Sequence, residues 1–106
     1  MPANIRKILR ELKKGFQSVY GAKFKGMYLF GSYARGDYVE GSDLDILVIL
    51  TDFERAPLEI NRTGDLVGDI CLEHLITVSP VFIREKDWLS ADRPLLRNVR
   101  EEGVAV

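Results

Sequence analysis

The chain has 106 residues, 46% of them apolar and 29% charged, with a formal net charge of −1. That length predicts one domain over residues 1–106, large enough to fold without a disulfide or a structural metal. The composition excludes disorder as the main state, and the longest apolar run, Ile46 to Leu50, falls far short of the roughly 20 residues that span a bilayer.

The first segment carries Ile5, Ile8, Leu9, Leu12, Phe16, Val19 and Tyr20 at helical spacing. This predicts an amphipathic helix over roughly 4–20, with Asn4 as N-cap and Gly21 as stop. Arg6, Lys7, Arg10, Lys13 and Lys14 interrupt the apolar pattern, which argues against a signal peptide. With Lys23 and Lys25 they leave residues 1–26 basic, opposed only by Glu11. That excess reads as a solvated helix face or as a local surface for an anionic ligand or partner. The balanced total disfavours nucleic acid. Met27 to Phe30 is a short apolar strand ending at Gly31. Leu44 to Leu50 is a second strand, continuous enough in its apolar residues to be buried on both faces. Residues 54–74 are ambiguous: Leu66, Val67, Ile70 and Cys71 give a helical stripe that Gly64 and Gly68 weaken. Leu75 to Ile83 reads as a third strand, with Pro80 marking an edge or a bulge. Asp92 to Arg100 reads as a helix with Pro94 in its first turn, and Gly103 to Val106 as a last short strand. The order of elements indicates an α/β or α+β layer fold. Cys71 is alone, so no internal disulfide or zinc cluster is expected, and a reducing cytoplasm is the expected compartment.

The chemistry concentrates in Phe30-Gly31-Ser32-Tyr33-Ala34-Arg35-Gly36-Asp37 and Gly41-Ser42-Asp43-Leu44-Asp45-Ile46-Leu47-Val48. Asp43 and Asp45 are two apart at the mouth of a strand, so their side chains share a face while Leu44 points into the core. Two adjacent carboxylates raise each other's pKa unless a cation neutralises them. A hard divalent ion such as Mg²⁺ suits carboxylates plus substrate phosphates. Gly31-Ser32 closes the preceding strand in a turn whose backbone N–H groups, with the Ser32 hydroxyl, suit a phosphate. A phosphate cradle facing a metal-binding pair is the equipment of phosphoryl or nucleotidyl transfer.

This pair of motifs resembles the signature of the DNA polymerase β superfamily of nucleotidyltransferases, and in particular its minimal, antitoxin-like branch. The resemblance extends more loosely to Pro94-Leu95-Leu96-Arg97-Asn98-Val99 and Glu102-Gly103. It implies an α+β fold, a small mixed sheet flanked by helices. It implies that Asp43 and Asp45 are catalytic and bind Mg²⁺, and that Gly31 and Ser32 take the triphosphate of an NTP. Arg35 would lie near the phosphates or shape the short helix, with a surface salt bridge as the alternative. The implied reaction is Mg²⁺-dependent transfer of a nucleoside monophosphate, AMP from ATP, onto an acceptor. The implied partner is a helical HEPN-type protein in a toxin–antitoxin-like pair, or else a second copy in a homodimer. A catalytically degenerate module that binds nucleotide or partner is the alternative, and a drug-modifying transferase is disfavoured. No membrane role is implied.

One departure stands out. The family's third carboxylate falls on Ser79 here, in Val78-Ser79-Pro80, and a serine alone is no general base at neutral pH. Asp69 and Glu73 are the nearby acids, four apart, and read either as substitutes or as solvated helix residues. His74 reads as a residue at the end of a helix, Cys71 as core and Trp88 as a packing or interface aromatic. Tyr33 and Tyr38 either stack on a base or support the turn.

Overall fold

The computed structural model describes residues 1–106. Helix α1 runs Ala3–Tyr20 and buries Ile5, Ile8, Leu9, Leu12 and Phe16, the stripe that its spacing predicts. It starts one residue earlier than expected. Pro2 (φ −58°, ψ 146°) occupies the capping position, since its fixed φ suits a helix entry, and Asn4 lies inside the first turn rather than at the cap. Gly21 ends α1 at positive φ and donates its N–H to the Gln17 carbonyl. After a single 3₁₀ turn, β1 spans Phe24–Phe30. A one-turn helix, α2 (Ser32–Arg35), follows, then β2 (Leu44–Leu50).

The ambiguous segment resolves into two helices, α3 (Ala56–Arg62) and α4 (Gly64–His74). Thr63 makes the joint; its hydroxyl donates to the Glu59 carbonyl at 2.8 Å. The third strand, β3, is Val78–Arg84 and starts three residues later than the sequence suggests. The reason is local: Leu75 takes a left-handed conformation (φ 52°) and ends α4, its N–H donating to the Cys71 carbonyl. A short helix that periodicity does not reveal, α5 (Glu85–Ser90), comes next. Then α6 spans Pro94–Glu102, displaced by two residues from expectation because Pro94 opens it. The two-residue β4 (Val104–Ala105) closes the order.

The strands form one mixed sheet in the order β3-β2-β1-β4. β1 and β2 are antiparallel, from Phe24↔Leu50 to Phe30↔Asp45. β3 runs parallel to β2 in unbroken register, from Leu44↔Val78 to Leu50↔Arg84. Pro80 therefore marks an edge strand, as expected, and no bulge accompanies it. β4 pairs with Tyr28 and Leu29 on the far side of β1.

Helices cover both faces. On one, α1 and α4 pack against Met27, Leu29, Leu44, Ile46, Val48, Leu50 and Phe82. On the other, Leu96 and Val99 of α6 and Trp88 of α5 pack with Leu47, Ile49 and Ile83. Every residue from Ile46 to Leu50 is buried. Each such side chain contributes about 1.5–3 kcal/mol, so the strand that carries Asp45 and follows directly on Asp43 is the most firmly seated in the sheet. No helix is long and apolar enough to cross a membrane.

Candidate active site

Antiparallel pairing brings the C-terminal end of β1 beside the N-terminal end of β2, and Phe30 stands opposite Asp45. Gly31 follows at φ 74° and ψ −157°, a conformation that essentially only glycine adopts. Its carbonyl accepts the N–H groups of Ala34 and Arg35, both at 3.1 Å, which winds α2. Gly36 ends α2 in the left-handed region, its N–H on the Ser32 carbonyl. A β-carbon on Gly31 would run into Oδ2 of Asp45 and lie 3.2 Å from its Cγ. The glycine is thus required twice, by its backbone angles and by the carboxylate against it.

The returning loop is held locally. The Val39 N–H donates to the Ser42 hydroxyl at 2.9 Å, and the Ser42 N–H to the Val39 carbonyl at 3.0 Å. Leu44 donates its N–H to the Thr77 carbonyl at 2.8 Å, fixing the start of β2 beside that of β3. Leu44 is fully buried, as alternation demands, while Asp43 is exposed and Asp45 half-buried. Burial, and then the neighbouring Asp43 charge, push the Asp45 carboxyl above its ordinary value; Arg35 opposes the shift. No Lys or Arg lies within ion-pair distance of Asp43 or Asp45 among the salt bridges of the fold, which pair Arg35 with Asp37 and Glu102 instead. Two carboxylates close enough for the charge of Asp43 to act on Asp45, one partly desolvated and neither ion-paired, form a donor set that fits a hard divalent cation.

Ser79 pairs in register with Asp45. Partners in a parallel pair project to the same face, so Ser79 stands beside Asp45 on the α5–α6 side of the sheet. Asp69 and Glu73 lie on α4, which covers the opposite face. Both are exposed, and Glu73 sits 3.9 Å from His74. His74 bonds Glu11 of α1 across 2.7 Å, a helix–helix tie at the end of α4. Cys71 is half-buried against the α1–α4 core. Trp88 packs on Tyr28 at 4.9 Å between ring centroids, with the Arg100 guanidinium over its own ring. Tyr33 and Tyr38 stack on each other, centroids 4.4 Å apart and planes at 14°, and so brace the turn.

Arg35 projects toward carboxylates: Nε donates to Asp37 at 3.2 Å and Nη1 to Glu102 at 3.2 Å. Both hydrogen bonds strengthen its hold on the proton. Glu102 is the site neighbour that sequence reasoning passed over. Its only signal is its place in Glu102-Gly103, and nothing in the spacing tells that the end of α6 meets the end of α2. A second polar cluster lies at the far end of β2. There Glu59, 5% exposed, accepts from the Tyr20 hydroxyl at 2.8 Å and from Arg62 at 3.0 Å, beside an open cleft of about 600 Å³.

The profile of the nucleotidyltransferase domain family matches residues 5–103. The candidate protein adenylyltransferase MJ0604 of Methanocaldococcus jannaschii is 31% identical over 106 aligned residues, covering 94% of this chain and 95% of that protein. A toxin–antitoxin crystal structure with AMP-PNP superposes with a TM-score of 0.66 at 24% identity, covering 91% of this chain and 69% of that one. The MNT antitoxin complex with the tri-AMPylated HEPN toxin of Shewanella oneidensis superposes at 0.56 and 23%, covering 94% and 66%. The family profile spans nearly the whole chain, the turn at Gly31 and the Asp pair included, and the chain belongs to the nucleotidyltransferase domain family.

Proposed function

We propose that the protein transfers AMP from ATP, with Mg²⁺, onto a hydroxyl of a partner protein, as the antitoxin half of a cytoplasmic pair with a HEPN-type helical toxin. The observation that carries this reading is the contact of Asp45 with the Gly31 turn, which sets an aspartate of the pair against the backbone that opens α2. The names of the related proteins support the class of reaction, nucleotide and partner.

Asp43 and Asp45 would hold the cation, which when bound supplies charge neutralisation for the triphosphate. Gly31 and Ser32 would hold the phosphates, the serine hydroxyl donating to a phosphate oxygen, and Arg35 would lend its charge nearby. In the transfer the acceptor oxygen bonds the α-phosphorus as the α–β anhydride bond breaks. Pyrophosphate leaves, and the hydroxyl proton passes to a carboxylate of the pair or to water. The residues of the chain position and neutralise, and such terms account for most of the catalysis in phosphoryl chemistry.

The test is transfer of label from [α-³²P]ATP to the protein that co-purifies with the chain. Asp43→Asn with Asp45→Asn abolishes the label and Mg²⁺-dependent ATP binding while the fold is retained. Undiminished labelling by the double variant refutes the assignment. Ser79, standing where a third carboxylate would fit, favours a second reading: a degenerate module that binds nucleotide or partner without transfer. Wild-type protein that binds Mg·ATP yet labels nothing selects that reading.

A further inference from the structure

We propose that Glu102 is a positioning residue for the phosphate-binding turn, acting through Arg35 to tie the end of α2 to the end of α6; the inference rests on the reading of that turn as a nucleotide site. Little else holds the turn. α2 is four residues long and contains no fully buried residue. A helix of one turn is unstable by itself. Its hydrogen bonds, from Ala34, Arg35 and Gly36, return to Gly31 and Ser32 within the turn. Tyr33 and Ala34 pack partly against the α1–α4 core. The one side-chain hydrogen bond from residues 31–37 to a distant element is Arg35 to Glu102, spanning 67 positions.

Glu102 is well placed to anchor. Leu96 and Val99 bury α6 in the second core layer. Gly103 donates its N–H to the Val99 carbonyl at 2.8 Å and packs so closely on that turn that a β-carbon would strike the Val99 carbonyl. β4 then pairs with Tyr28 and Leu29, the residues that lead into Phe30 and Gly31. Glu102 therefore extends from a backbone fastened on both sides, whereas Asp37, the other partner of Arg35, belongs to the loop beside the turn itself. The Glu102 side chain is 33% exposed and that of Asp37 63%, so Glu102 is the better shielded of the two. The position of Arg35 bears on the site directly, because Arg35 ends the one-turn helix that Gly31 opens, and the Asp45 carboxylate lies against Gly31.

An exposed ion pair adds little to global stability, so loss of Glu102 affects nucleotide binding more than folding. The experiment is isothermal titration of the chain with ATP in MgCl₂, alongside thermal melts. Glu102→Gln keeps the shape and removes the charge; it weakens Mg·ATP binding roughly fivefold and leaves the melting temperature close to that of wild type. Glu102→Asp recovers most of the loss. In an Arg35→Ala background, Glu102→Gln causes no further loss, because the path runs through Arg35. Wild-type affinity in Glu102→Gln, or losses that simply add to those of Arg35→Ala, overturn this inference alone. A large fall in melting temperature that parallels the affinity loss across the variants also overturns it, by making the role merely structural. Wild-type protein that binds no Mg·ATP overturns the nucleotide reading as well.

Discussion

Gly31→Ala isolates the contact on which the site is built. The backbone there sits at φ 74° and ψ −157°, a region that costs an alanine about 1–3 kcal/mol. The new β-carbon also meets the Asp45 carboxylate, so Asp45 must rotate away or the turn must open. Gly36 provides the control. It too lies at positive φ, 86°, but nothing stands within 4 Å of a β-carbon built there. Gly36→Ala therefore reports left-handed strain alone, about 1 kcal/mol. With a 1 kcal/mol loss worth about 4–8 °C in a domain of this size, Gly36→Ala melts several degrees low and Gly31→Ala at least twice as far. The variants separate further in binding: Gly31→Ala loses Mg·ATP affinity because the carboxylate is displaced, and Gly36→Ala largely keeps it. Removing the obstacle completes the test, since Asp45→Ala shrinks the stability cost of Gly31→Ala to that of backbone strain. Differential scanning fluorimetry and calorimetric titration on the four single and double variants suffice. Equal melting and equal affinity for Gly31→Ala and Gly36→Ala would refute the reasoning.

Two further outcomes follow from the carboxylate pair. Because the Asp45 pKa is raised in the fold, the native state holds its proton to higher pH than the unfolded chain does. Its contribution to stability is therefore favourable below the ordinary aspartate value near 4 and is lost as pH rises through the raised folded value. Without metal, Asp45→Asn melts above wild type at neutral pH and loses that advantage in acid; equal melting at all pH values refutes the shift. Ser79→Asp places a third carboxylate beside Asp45, so it melts lower than wild type in EDTA and recovers when Mg²⁺ is added. An unchanged melt in EDTA shows that position 79 does not face the pair.

The motif was legible because its chemistry and its strands are contiguous in sequence: Gly31, Ser32, Asp43 and Asp45 all fall on or beside one hairpin. α1 was legible because a sustained 3.6-residue stripe has few competing readings, and β2 because an apolar run with helices on both sides needs no alternation. What stayed hidden has a common cause in tertiary contact. Residues 54–74 split at Thr63, whose hydroxyl bond to Glu59 leaves no periodic mark. The late start of β3 depends on Leu75 adopting a conformation that leucine rarely takes, and side-chain type gives no notice of it. α5 is too short for a stripe. The Arg35–Glu102 bond joins residues 67 apart, and only the folded chain shows that they meet.

The two pairings of β2 also order the assembly of the site in time. Phe30 and Asp45, partners across the hairpin, are 15 residues apart, whereas Asp45 and Ser79 are 34 apart, with α3 and α4 between them. Closing the shorter loop costs less chain entropy, and nearby contacts form before distant ones reward the search. The hairpin thus brings the glycine turn against the aspartate pair first. The wall contributed by β3 arrives afterwards, once the parallel crossover is complete, so a chain halted midway through folding holds the motif residues together in a cleft still open along one side.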